Sequence, residues 1–320
     1  MPIQRLTVLT QPVPEASPEA LLKMAQRVLL RVRGRPQGRY TGHSAVTRSL
    51  VEGLRKIGAR FNYNPNSRDD VGDVVHVPGG HLALRQAIRW RRQGRIRRLL
   101  AGPNLVISPS DRPRLVGSPY IDRCLVPGDW VRIYYERDLP TLAGRCRAWP
   151  AGVDLSWWQP AEASRHPRSL LFYDKRPPPG LYAECLRLAT VFDFTVQELH
   201  YGSYSPEEYR DALHRNAFLV HFVEQEAQGI SLAEAWATDT PSLVWNPGYC
   251  QLKGRNLDAS SSPYLNARNG RFFAHAGEFR QLLQELRDLT PNFSARGWVE
   301  ENMSDEACAR HLWALAEEIA

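Results

Sequence analysis

Residues 217–246, AFLVHFVEQEAQGISLAEAWATDTPSLVWN, constrain the fold more than any other stretch of this chain. The apolar run 218–223, broken only by His221, reads as a buried strand. Residues 241–245 read as a second one, and a Gly-bearing loop and a short helix over 231–238 lie between. Strand, loop, helix and strand in that order form the repeating unit of a parallel α/β sheet.

Two carboxylates stand in this unit at E-x7-E spacing, Glu226 and Glu234, with Gly229 between them. Glu226 falls just past the carboxyl end of a strand, where open α/β sheets bind ligands. Gly229 permits close approach of backbone to a ligand. The N–H groups of Gly229, Ile230 and Ser231 would sit at the helix amino end, which favours anions. Glu234, about one turn in, reaches back toward the same place. Ser231-Leu232-Ala233-Glu234 is equally S-x-x-E, a capping box in which Glu234 only terminates a helix.

EQEAQGISLAEAWATDTPSLVWN resembles the nucleotide-sugar-binding signature of retaining glycosyltransferases with the GT-B fold. A second landmark agrees with it. Trp149-Pro150-Ala151-Gly152-Val153-Asp154, followed by Trp158 and Pro160, is similar to the segment that joins the two domains in that group. The resemblance implies an α/β chain of two Rossmann-like domains facing a cleft, with a C-terminal helix that crosses back to the first domain. Residues 1–155 would form the acceptor-side domain and 156–320 the nucleotide-sugar domain. The implied activity is metal-independent transfer of a sugar with retention at the anomeric carbon. The group also places a basic residue after the first strand of the second domain, and Lys175 with Arg176 occupies that position. The implied donor site is then Lys175, Arg176, Glu226, Gly229, Ile230, Ser231 and Glu234, with Glu226 and Lys175 catalytic. A glycine-rich loop after the first strand touches donor phosphates or acceptor in this group. Gly38, Arg39 and Gly42 of GRPQGRYTG are the matching candidates. The sequence departs from the group in two respects: a helix is inserted ahead of that glycine-rich loop, and no histidine lies between His81 and His166.

Charge is divided unevenly. Residues 1–155 hold 26 Lys and Arg against 12 Asp and Glu, a net of +14, while 156–320 hold 15 against 22, a net of −7. A basic half is drawn to anionic partners. An arginine cluster over 85–98 and a basic amphipathic helix over 17–32 (Leu21, Leu22, Ala25, Val28, Leu29 and Val32 on one face) carry much of it. Either can meet an anionic membrane surface, although a helix of this kind more often packs its apolar stripe on its own domain. Nucleic acid is not expected, because Trp90 is the sole aromatic interleaved with the arginines and no stacking platform forms. The expected partners are therefore a UDP-, GDP- or ADP-linked sugar and a glycan, lipid-linked or small-molecule acceptor.

No D-x-D occurs, so no metal clamp is expected; the nucleotide sugar is a co-substrate and no cofactor is implied. Five dispersed cysteines without C-x-x-C read as reduced thiols. With no signal-peptide pattern and no apolar run of spanning length, the expected location is the cytoplasm, with peripheral contact at the inner face of the membrane. Two other readings remain open: a sugar-nucleotide epimerase or hydrolase of the same fold, and a non-enzymatic nucleic-acid-binding protein using the basic half.

Elsewhere the sequence predicts strand fragments at 99–101 and 106–107, and Ser205-Pro206-Glu207-Glu208 opening a helix. It predicts a long polar loop over 248–269 and a final helix over 304–319.

Overall fold

A computed structural model describes residues 3–14, 42–175, 177–288 and 292–319. The basic helix expected over 17–32, together with Gly38, Arg39 and Arg176, lies outside the described residues.

The chain divides into two units, Met1–Gly152 with Cys308–Ala320, and Val153–Ala307. The division falls at Gly152 rather than after residue 155, and the last thirteen residues group with the first unit.

The first unit holds six strands: β1 (Leu6–Val8), β2 (Phe61–Tyr63), β3 (Val74–Gly79), β4 (Arg98–Asn104), β5 (Arg123–Val126) and β6 (Cys146–Ala148). They form one sheet in the order β2-β1-β3-β4-β5-β6, every pair parallel. Its described helices include α1 (Gly42–Lys56), α2 (His81–Arg92) and α3 (Asp129–Asp138). Gly42 thus starts a helix instead of standing in a loop. Strands buried on both faces read as continuous apolar runs, and Val74, Val75 and Val77 are fully buried accordingly. Val75 and Val77 pack with Ala83, Leu84, Ala87 and Trp90 of α2. The two fragments near residue 100 resolve into the single strand β4, while Ile107 is 77% exposed and outside any strand.

The second unit holds β7 (His166–Asp174), β8 (Thr195–His200), β9 (Asn216–Phe222), β10 (Ser242–Trp245) and, later in the chain, Gly270–Phe273. Between these last two lies a hairpin, β11 (Tyr249–Leu252) and β12 (Arg255–Asp258), so that Gly270–Phe273 is β13. The main sheet runs β13-β10-β9-β7-β8, again all parallel. The hairpin corrects the expected featureless loop over 248–269. Lys253 and Gly254 both have positive φ, the condition for a tight two-residue hairpin turn.

The helices of this unit are α4 (Pro179–Val191), α5 (Pro206–Arg215), α6 (Ile230–Ala237), α7 (Ala276–Asp288) and α8 (Ala295–Asn302); α9 (Asp305–Glu317) straddles the division of units. Alternation along β7 feeds two cores. Leu171 and Tyr173 pack on one face with Ala233 and Trp236 of α6 and Val299 of α8. Leu170 and Phe172 pack on the other with Cys185 and Leu188 of α4 and Phe279 and Leu283 of α7.

Candidate donor site

In chain order the second sheet reads second-first-third-fourth-fifth, so the chain leaves β7 toward β8 on one side and returns to β9 on the other. The crevice at the carboxyl ends of β7 and β9 is therefore the topological switch point, the place where such sheets bind ligands.

Both strands deliver a charged residue there. Lys175 follows β7 directly, and its N–H donates to the Phe222 carbonyl at 3.0 Å, extending the β7–β9 ladder by one residue. Glu226 lies four residues past β9. Its N–H donates to the Ser260 carbonyl at 3.0 Å. Ser261 braces the same loop: its hydroxyl donates to the carbonyls of Val223 and Glu224 at 2.7 and 3.0 Å. Its N–H donates to Asn246 Oδ1 at 3.1 Å. The result is an ion pair, Lys175 Nζ to Glu226 Oε1, at 2.5 Å. The Lys175 ammonium also sits 4.8 Å from the centre of the Tyr201 ring.

Gly229 caps α6 in the left-handed region, at φ 82°. A side chain is strained in that conformation. No side chain caps this helix and no acid lies in its first turn. Its first N–H groups have no acceptor within the helix, and the helix dipole favours negative charge at that end. The capping-box reading of Ser231 and Glu234 is not realised: Gly229 is the cap and Ser231 is the second helical residue. Ser231 instead sets its hydroxyl 3.4 Å from His221 Nε2 and accepts a 2.8 Å hydrogen bond from the Tyr209 hydroxyl on its carbonyl.

Beneath the pair lies an aromatic layer that the sequence reading did not assign. The His221 ring stacks on Tyr173 at 4.9 Å and 7°. Tyr173 and Tyr204 share a 2.5 Å hydroxyl contact. Burial, with the nearby Lys175 charge, lowers the His221 pKa to about 3, so the imidazole is neutral. Burial pushes the Tyr204 hydroxyl up to about 12; the Tyr173 hydrogen bond opposes this, and the charges of Glu234 and Glu226 add to it. Both carboxylates of the E-x7-E spacing thus bear on one tyrosine. The sequence signal for His221 was its position as the lone polar residue in an apolar strand. Nothing in the local pattern around Tyr173, Tyr204 or Tyr209 marked them.

In the first unit, His76 Nε2–H donates to the Gly102 carbonyl at 2.8 Å, and His81 Nε2–H donates to the Leu105 carbonyl at 2.7 Å. Both histidines have structural partners. The arginine cluster separates: Arg91 forms a two-pronged pair with Asp122 at 3.1 Å, and Arg97 pairs with Asp73 at 3.1 Å. Among the described residues, no group of three or more His, Cys, Asp or Glu side chains is placed to hold a metal ion. No helix there is long and apolar enough to cross a membrane.

No protein-family model and no curated relative matches the chain. Solved structures do match. The lipopolysaccharide outer core galactosyltransferase WaaB, in its apo form, superposes with a TM-score of 0.58 at 10% identity, over 98% of this chain and 100% of that one. The fold is that of the GT-B glycosyltransferases. A glycosyltransferase from Rickettsia africae ESF-5 superposes at TM-score 0.56 and 11% identity, over 98% of each chain. HepE of Anabaena, in complex with UDP-glucose, gives 0.54 and 9%, over 98% of this chain and 99% of that one. At such identities the GT-B likeness speaks for architecture alone.

Proposed function

We propose that this protein transfers a sugar from a nucleotide-sugar donor to an acceptor, without a metal ion and with retention at the anomeric carbon. The observation that carries the reading is the Lys175–Glu226 pair at the switch point of the second sheet, beside the uncapped amino end of α6. UDP-glucose bound to HepE, which shares the fold, supports the donor class.

Each group has a task that its chemistry suits. As the glycosidic bond breaks, the leaving diphosphate gains negative charge, and a fixed cation with preorganised N–H donors stabilises it. Lys175 and the N–H groups of residues 229–231 supply these. Glu226 accepts from hydroxyls of the sugar ring and positions the anomeric carbon. Glu234 accepts from the ribose. Donor binding then exchanges partners: Lys175 turns from Glu226 to phosphate, and Glu226 turns to the sugar. Retention rests on the resemblance of the E-x7-E stretch to the retaining group.

The acceptor is a glycan, a lipid-linked molecule or a small molecule, and the first unit contacts an anionic membrane. Supporting this, Leu82 at the start of α2 is 67% exposed and Ile107 is 77% exposed, and a His81–Leu105 hydrogen bond joins the two segments that carry them. Arg85, about one turn on from Leu82, is exposed on the same helix. Apolar tips beside arginines are a means of holding a protein on anionic lipid.

The test is thermal stability of the intact protein with UDP, GDP, ADP and dTDP. A ligand specific to the folded state adds about 2.7 kcal/mol at a hundredfold excess over its Kd. A rise with one nucleotide that disappears in Glu234→Ala supports the site and names the base; no rise with any of them removes it. Nucleotide-sugar turnover without acceptor separates transfer from hydrolysis, the anomeric proton of the product reports retention, and chelator should leave the rate unchanged.

A further inference from the structure

The first unit carries a concavity of its own, at the end of its sheet opposite the strand carboxyl ends. It is an open groove of about 1420 Å³. Its floor follows from strand register. Leu6 of β1 pairs with Phe61 of β2 and Val74 of β3, and Val74 pairs with Arg98 of β4. The residues just before these four are Arg60, Arg5, Asp73 and Arg97 in spatial order. They stand in a row with about 4.8 Å between neighbouring strands. All four line the groove, and Arg310 and Trp313, one turn apart on α9, form its wall.

The row is closely built. The Gly72 N–H donates to Thr7 Oγ1 at 2.7 Å, and a Cβ on Gly72 would lie 2.3 Å from the Arg5 carbonyl oxygen. Only glycine lets the segment before β3 approach Arg5 so closely. Charge within the groove is unbalanced. Asp73 is engaged by Arg97 at 3.1 Å, and Arg97 Nε is buried without a hydrogen-bond partner. Among the described residues, Arg5, Arg60 and Arg310 form no ion pair, and all three are exposed. Three arginines without an ion pair among the described residues thus line one groove, and the one acid among its lining residues, Asp73, is already paired with Arg97. Trp313 is half-buried, with its Nε1 donating to Glu317 Oε1 at 3.0 Å.

We propose that this groove is a second ligand site, distinct from the donor site, for a small organic polyphosphate: phosphates against Arg5, Arg60 and Arg310, and a flat ring against Trp313. Guanidinium groups match phosphate oxygens in geometry and charge. The indole adds a face for a planar, electron-poor ring. The assignment does not depend on the proposed sugar transfer, because it uses none of the same residues.

The probes are ATP, which has both phosphates and ring, and tripolyphosphate, which has phosphates alone. Both are titrated calorimetrically into the intact protein and into variants. Arg60→Glu with Arg310→Glu should weaken both probes by about tenfold or more, since each removes a charge-assisted contact. Trp313→Ala should weaken ATP and leave tripolyphosphate unchanged. Lys175→Ala should leave a tripolyphosphate site intact. Substitution at exposed positions usually costs little stability; should charge reversal disturb folding, Arg60→Gln with Arg310→Gln carries the same test. No binding of either probe overturns the proposal. So does binding that survives loss of both arginines, or that vanishes in Lys175→Ala alone.

Discussion

Lys175 Nζ and Glu226 Oε1 lie 2.5 Å apart although 51 residues separate them in the chain. They meet because β7 and β9 are neighbours and end together at the switch point. The side chains are 28% and 17% exposed. At that exposure the pair is partly desolvated, so removing one partner takes the ion pair from the other charge. Lys175→Met and Glu226→Gln should each cost about 1–3 kcal/mol in urea unfolding, and the double variant less than their sum. Both single variants should nearly abolish sugar transfer with far-UV dichroism unchanged. Near-normal turnover in Glu226→Ala would remove it from the mechanism.

Gly229 offers a sharper probe of the helix amino end. At φ 82° an alanine adopts a left-handed conformation, and its Cβ would lie 3.1 Å from Leu232 Cδ1. Gly229→Ala should therefore lower stability by about 1–2 kcal/mol. It should also shrink the thermal shift given by a nucleoside diphosphate, because the N–H groups of residues 229–231 are displaced. A full-sized shift in the variant would show that these groups do not hold phosphate.

Two buried histidines set a pH dependence. Burial lowers His76 to about 4, with the Gly102 hydrogen bond opposing it, and lowers His221 to about 3. In the unfolded chain both titrate near 6.5. Between those values the unfolded state binds more protons, so stability is complete above about pH 6.5 and falls as pH drops toward 4. Each histidine contributes up to about 1.4 kcal/mol per pH unit in that window. His221→Phe should reduce the slope by one histidine's share, as read from urea midpoints at pH 4.5, 5.5 and 7. An unchanged slope would mean that His221 is charged in the fold.

Ser205 provides a control for the helix that carries Tyr209. Its hydroxyl accepts from the Glu208 N–H at 3.2 Å, and its own N–H donates to Glu208 Oε2 at 2.6 Å, a complete capping box. Ser205→Ala should cost about 1 kcal/mol and leave nucleotide binding as it is. Loss of binding would show that α5 is coupled to the site through Tyr209.

Local pattern determined much of this protein. Alternating apolar runs and helical periods marked the strands and helices of both units, since burial on two faces demands uninterrupted apolar strands. The Ser205 cap was legible because all its partners lie within four residues. The hairpin over 249–258 was not, because its strands are short and polar and its turn is Lys253-Gly254. The alternative reading of Ser231 and Glu234 as a capping box is not realised, because the left-handed Gly229 takes the cap position. Lys175 and Glu226 could be named from sequence, but their contact, the tyrosine layer under them and the grouping of Arg5, Arg60 and Arg310 along one groove came only with the tertiary structure. Capping and periodicity are energies of neighbouring residues, readable along the chain. Which strand ends lie side by side is decided by sheet order, and sheet order is a property of the packed whole.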